Sequence, residues 1–328
     1  MREKIIKYPI TSFFVITFTI TWPLISLVIF IFPGNMLAEG IFGSIATFGP
    51  ALSGIIVSSV LNGKKTKKQT NKKVWTFIIT WIISAAVMLL FSVNVRNSSL
   101  QIGLIVFSAI LALLPAYIIS SAYSSKPLVS NYLNTIVKPR GHFLWYLIAL
   151  FIFPVFQFAG YCIAIILGDT PGEFIQGELN MILFSSIILT FLLGVLFQGG
   201  INEEAGWRGL AIPRIQKRFS PLTAAIIVWF FWALWHLLYD IHTAGSVSEV
   251  LLNRLVFNIF WSVLFVWIFN RTKGSILAVS FIHSSMNTSS EFFAVTDYTG
   301  ILFGILIVTI IISDKMWKRA DIYKKSVL

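Results

Sequence analysis

Apolar residues in this chain fall in long runs, without the strict alternation of a half-buried strand. Ten runs can be read against the roughly 20 residues that a helix needs to cross a bilayer. They lie near 10–32, 40–61, 74–93, 101–123, 143–167, 180–200, 221–239, 250–269, 274–292 and 299–313. An unpaired backbone group in lipid costs several kcal/mol, so each run is predicted to be helical. The period-2 pattern of a transmembrane barrel is absent. The expected fold is therefore all-α, a polytopic transmembrane helix bundle of about ten spans. The first run follows Arg2, Lys4 and Lys7 and is too long for a signal-peptide core. No small-residue cleavage site follows it, so it reads as a retained anchor.

The connecting segments alternate in sign. KKTKKQTNKK at 64–73 is basic, as are the segments holding Lys126, Lys138 and Arg140, then Arg214, Lys217 and Arg218, then Arg271 and Lys273, and the tail from Lys315 to Lys325. The intervening segments carry Glu39, then Asp169, Glu173 and Glu178, then Asp240 and Glu249, then Glu291 and Asp297, with Arg96 as the one exception. The positive-inside rule then puts both termini in the cytoplasm. One missed span would invert every later sign, so the alternation supports the count. The Lys-rich 64–73 loop reads as a topology determinant, with anionic lipid headgroups as a second reading. Three parts are expected: N-terminal transmembrane helices over 1–179, a helical core over 180–292, and a last helix with a basic cytoplasmic tail over 293–328.

Composition agrees with the pattern. Hydrophobic residues make up 57% of the 328 positions and charged residues 12%, with mean hydropathy +0.84. A soluble domain carries about 25% charged residues. The net charge of +12 lies in short loops between apolar runs, which is a topology pattern and not a nucleic-acid surface. The expected partner is the bilayer, not nucleic acid; the oligomeric state is not legible. The single cysteine, Cys162, excludes an intramolecular disulfide and a Cys-based metal site.

Ionisable residues within spans cost roughly 2.5–3.5 kcal/mol each on insertion scales, and so need a reason. They concentrate between about 198 and 290. The first group is NEEAGWRG, Asn202 to Gly209. On a helix Glu204 and Arg208 share a face, the acid N-terminal to the base, whereas Glu203 is turned about 100° away. Glu204 is therefore expected to pair with Arg208, leaving Glu203 to face a cavity. The second group is His236 in FFWALWHLLYD, with Trp232 one turn earlier. The third is HSSMN, where His283 and Asn287 are four apart. Each has a plain structural reading: an interfacial charge cluster, a packed core histidine, a helix–helix hydrogen bond. Taken together they set a carboxylate, two imidazoles and an amide on three neighbouring spans.

That set suffices to hydrolyse an amide. A carboxylate beside an imidazole can take a proton from water, and a second histidine with an amide N–H can hold the oxyanion. No G-x-S-x-G element is present and Cys162 is remote, which disfavours a Ser or Cys nucleophile. The HExxH pattern of zincins is also absent. Two histidines and a carboxylate, here Glu203, His236 and His283, would still offer zinc three ligands and an open position.

The three motifs resemble those of the CAAX-protease and bacteriocin-processing (CPBP, or Abi) family of intramembrane proteases. EEAGWRG resembles its EExxxR motif, Trp232 to His236 its FxxxH motif with Trp for Phe, and His283 to Asn287 its HxxxN motif. NRTKGSILAVSFIH is similar to the family's approach to the last. The resemblance covers about 180–290. It implies peptide-bond hydrolysis in or near the membrane, with Glu203 as general base assisted by His236, and His283 and Asn287 stabilising the oxyanion. Glu204 and Arg208 match supporting positions. No cofactor is required for a glutamate-activated water; zinc is the alternative. The family's eukaryotic members trim prenylated CAAX proteins. The bacterial character of the motifs here points instead to an exported pheromone, a bacteriocin precursor or a signal-peptide remnant, at the cytoplasmic membrane of a bacterium. The rival reading is a non-catalytic immunity protein or a transporter that uses the same polar cluster for binding.

One requirement is geometric. Glu203 stands near the cytoplasmic end of its run, whereas His236 lies about 16 residues past the start of the next, roughly 24 Å along a helix. Either that helix begins outside the bilayer or the Glu203 segment reaches deeper. A flat interfacial LAIPRIQKRF would permit either.

Overall fold

A computed structural model describes residues 2–61, 70–96, 99–244 and 246–319. Among these the chain is a bundle of helices, and the pairing of extended backbone is confined to an isolated bridge between Ile175 and Phe293. All ten apolar runs are helical. Seven helices are long and apolar enough to cross a membrane: Pro9–Ile31, Thr70–Asn94, Ile102–Tyr123, Leu144–Ile166, Met181–Ile215, Pro221–Thr243 and Val247–Arg271. The run at 40–61 is broken, Glu39–Ala46 meeting Gly49–Leu61 at 44°. The last two runs give helices of 17 residues each, Ile276–Phe292 and Asp297–Ser313. At 1.5 Å per residue each is about 26 Å long, at the lower limit for a crossing. The chain is thus a multi-pass helical membrane protein. The 64–69 part of the Lys-rich loop and the tail beyond Arg319 lie outside the described residues.

The depth requirement is met by the second of the two alternatives, a deeper Glu203 segment, and without a flat interfacial stretch. Met181–Ile215 runs for 35 residues, broken at Gln198–Gly200 and continuing as Ile201–Gly206, a π-helical turn Trp207–Ala211, and Ile212–Ile215. LAIPRIQKRF is not an interfacial helix: Leu210, Ala211 and Ile212 have no exposure and sit in the main core beside Trp207, Val228 and Phe265. The Glu203 segment therefore reaches deep, and its amphipathic pattern reflects burial among neighbouring helices.

The charged loops sort to the two ends of the bundle. At one end the Tyr146 hydroxyl donates to the Arg140 carbonyl (2.9 Å) and bonds Ser275 (2.8 Å). Leu222 N–H donates to the Met316 carbonyl (3.0 Å), Arg271 Nε donates to Asp314 (2.9 Å), and Arg319 reaches the Lys217 carbonyl. At the other end Tyr239 approaches Glu39 (3.4 Å) and Arg254 pairs with Asp240 (2.8 Å). There too Gln176 N–H donates to the Phe292 carbonyl (2.9 Å). Among the described residues, the segments holding Arg140, Lys217, Arg271 and Arg319 thus gather at one end, and those holding Glu39, Asp240 and Arg254 at the other.

Candidate active site

The site is built on the break in Met181–Ile215. The first part ends at Phe197, and Gly199 turns the chain with φ +91°, a conformation that side chains with a Cβ rarely adopt. Space demands glycine as well, since a Cβ at Gly199 would stand 2.5 Å from Nε2 of His283. The chain re-enters helix at Ile201 and puts Glu203 and Glu204 in the first turn. Gly206 then lets that short helix press onto the helix Gly49–Leu61, where a Cβ would lie 2.4 Å from the Pro50 carbonyl oxygen. Asn202 adds a tie to the same region by donating to the Thr47 carbonyl (3.2 Å).

The two carboxylates diverge as the helical repeat requires. Oε1 of Glu204 accepts from Arg208 (2.9 Å) and bonds Nδ1 of His283 (2.8 Å). Glu204 and Arg208 are wholly buried. The guanidinium lies 4.9 Å from the ring centres of both Trp232 and Phe265, where the ring faces attract the cation. Oε2 of Glu203 instead accepts from the Trp232 indole N–H (2.8 Å) and stands 3.9 Å from Nε2 of His236. The latter separation is an ion-pair distance, longer than a hydrogen bond. Asn287 donates to the Gln198 carbonyl at the break (3.2 Å).

Glu203, Trp232, His236, His283 and Asn287 all wall one cavity of about 1350 Å³; Glu204 and Arg208 stand behind that wall. All seven residues singled out in the sequence are thus brought together, five of them (Glu203, Trp232, His236, His283, Asn287) lining the cavity. One relation differs from expectation. His283 is not a free-standing partner of Asn287, because its Nδ1 is held by Glu204 and only its Nε2 edge is turned toward Gly199. Sequence reasoning missed Gln198, Gly199 and the Asn202–Thr47 tie. The Gly199–Gly200 pair just ahead of the two glutamates was the available signal for a break.

The fit to zinc is poor. Among the described residues no three His, Cys, Asp or Glu side chains converge as a metal would require.

Fold and site together define a multi-pass helical membrane protein with a buried carboxylate–imidazole centre opening on a large cavity. Residues 184–289 match the family of type II CAAX prenyl endopeptidase Rce1-like proteins. The CAAX prenyl protease 2 of Methanococcus maripaludis is 29% identical over 147 residues, 41% of this chain and 52% of the relative. The chain spans about half the length of that curated relative. Residues 184–289 are thus similar to the CAAX-protease family, in agreement with the three motifs.

Proposed function

We propose that the chain is an intramembrane endopeptidase that hydrolyses a peptide bond in a hydrophobic or membrane-associated peptide by means of a glutamate-activated water. The observation that carries this reading is the division between the neighbouring glutamates. Glu204 is neutralised by Arg208 behind the wall, while Glu203 lines the cavity with only an indole N–H on Oε2 and His236 nearby.

The chemistry follows from those positions. Water held between Glu203 and His236 gives a proton to the Glu203 carboxylate, and its oxygen adds to the scissile carbonyl carbon. The carbonyl oxygen becomes an oxyanion facing His283 Nε2 and the Asn287 amide. For Nε2 to donate, the proton in the bond between Nδ1 and Glu204 can sit on either partner, so a neutral His283 beside a protonated Glu204 serves as well as an imidazolium beside the carboxylate. The tetrahedral intermediate then expels the amine, which takes the proton from Glu203, and acid and amine products leave. No metal enters this scheme, in keeping with the donor arrangement. The preferred setting is a bacterial cytoplasmic membrane, with an exported or signal-derived peptide as substrate.

Cleavage of a quenched hydrophobic-peptide library by purified protein in detergent tests the reading. Wild type should cut with or without chelator, and Glu203→Gln and His236→Ala should not. Loss of wild-type activity on chelation would replace the metal-free scheme with a zinc one. A folded but inert wild type would favour the binding-only reading.

A further inference from the structure

We propose that Gln157 and Asn258 form a subsite for the main chain of the bound peptide, Gln157 accepting from a peptide N–H and Asn258 donating to a peptide carbonyl. The inference rests on the hydrolytic reading of the cavity and deepens it, by naming two residues that hold the substrate away from the reacting centre.

Both side chains line the cavity that Glu203 and His236 wall. Gln157 is 2% exposed and Asn258 7%, yet Oε1 of Gln157 and Nδ2 of Asn258 have no hydrogen-bond partner. A buried polar group left unpaired destabilises a fold, so two such groups on one wall require an explanation. Other polar side chains of that wall are already engaged. The hydroxyls of Thr21, Thr47 and Ser290 donate to carbonyls of the chain itself, and Asn287 donates to that of Gln198. Among the described residues, the further buried unpaired group on the wall is the Trp235 indole N–H, which can only donate and stands on another helix.

Packing sets the two carboxamides at one level. Leu144–Ile166 and Val247–Arg271 run antiparallel, Trp145 lying against Trp267 and Phe153 against Trp261 with ring centres 5.1 Å apart in each pair. Gln157 is one turn beyond Phe153 and Asn258 one turn before Trp261, so the same stagger brings them opposite each other. Phe153, Trp261 and Phe303 pack together beside them as an aromatic floor. An acceptor and a donor over an apolar floor complement one peptide unit, whose N–H and C=O need one of each.

The distance to the reacting centre follows from the helix. Phe265, whose ring centre lies 5.1 Å from that of His283, is seven residues from Asn258, two turns along one face and about 10 Å. Extended chain covers that length in about three residues. A peptide must be extended to offer its bond to water, and its backbone groups then lose the helical partners that lipid demands. The carboxamides restore such partners to one unit about three residues from the scissile bond.

Binding to full-length Glu203→Gln protein in detergent tests this, read as the anisotropy of a labelled apolar decapeptide of mixed sequence. Single-ester analogues of the peptide each replace one N–H by oxygen. An ester at one position should weaken binding by about 10-fold, the size of one hydrogen bond. Gln157→Met, added to the same protein, should weaken the parent peptide equally and abolish the further loss at that position. Asn258→Leu should weaken the parent peptide by about 10-fold. Neither substitution should lower the melting temperature, since each removes an unpaired group. Unchanged binding in both variants, an ester effect that persists in Gln157→Met, or a variant that melts earlier or does not fold would overturn the inference. The expected coupling in a chain whose wild type cuts no peptide would leave the subsite standing and remove the protease reading. Cleavage by wild type without the coupling would do the reverse, and neither binding nor cleavage would overturn both.

Discussion

Behind Glu204 and in front of Glu203 lie two regions of opposite character, although the residues are consecutive on one short helix. The region behind is sealed. Arg208, Glu204 and His283 form a chain of charge-assisted contacts, closed by Trp232 and Phe265, with no exposure at Glu204 or Arg208. The region in front is a cavity, and Glu203, His236 and Asn287 are left to whatever enters it. A buried charge with a complete set of partners holds a structure in place. One facing a cavity with a partial set can exchange a proton with a ligand. The difference between the regions comes from a rotation of about 100° between successive residues of a helix.

Substitutions should separate the regions. Glu203→Gln has the largest expected effect on chemistry: peptide cleavage falls by roughly 10²–10⁴-fold, the range for loss of a general base. The melting temperature in detergent should stay near that of wild type. A cleaving Glu203→Gln enzyme would dissolve the distinction between the carboxylates.

Arg208→Ala should do the reverse and act through folding. It strands Glu204 in the core, and breaking a buried pair from one side costs about 3–5 kcal/mol. The protein is expected to lose its melting transition or show it far below that of wild type. A stable but inactive Arg208→Ala variant would instead bring Arg208 into the chemistry.

Asn287→Ala should lower kcat by about 10²-fold, the lower end of what one oxyanion donor supplies. Stability should change little, since its bond to the Gln198 carbonyl is exposed to the cavity. If KM rises and kcat holds, Asn287 binds substrate and does not stabilise the oxyanion.

What the sequence made legible here was mostly short-range. The Glu204–Arg208 pair follows from the helical repeat and survives the π-helical turn at Trp207–Ala211, with the bond at 2.9 Å. The apolar runs foretold the helices because lipid leaves the backbone no alternative. The three motifs foretold which polar side chains come together. What stayed hidden were choices made by packing between distant segments. His283 binds the nearer glutamate in space, 79 positions away in sequence, and no local pattern says which of two adjacent carboxylates that is. The 35-residue continuation to Ile215 was hidden too, because a buried LAIPRI and an interfacial one have the same hydrophobic period.

Trp232 belongs to both regions, and the smallest expected effect is the one that sharpens the comparison most. Its ring covers Arg208 on the sealed side (4.9 Å), while its N–H reaches Glu203 on the open side (2.8 Å). Phenylalanine, the residue this motif position resembles, would keep the first contact and lose the second. A hydrogen bond to a charged group contributes about 1.5–3 kcal/mol. Water and the nearby His236 can replace part of that at a cavity wall, so Trp232→Phe should lower kcat by about 10-fold, equivalent to about 1.4 kcal/mol. KM and the melting temperature should hold, because the aromatic cover over Arg208 remains. A fall in stability with kcat unchanged would assign Trp232 to the sealed region alone. A fall in kcat without loss of stability would mean that the indole N–H positions Glu203, a task no Phe at this position can perform.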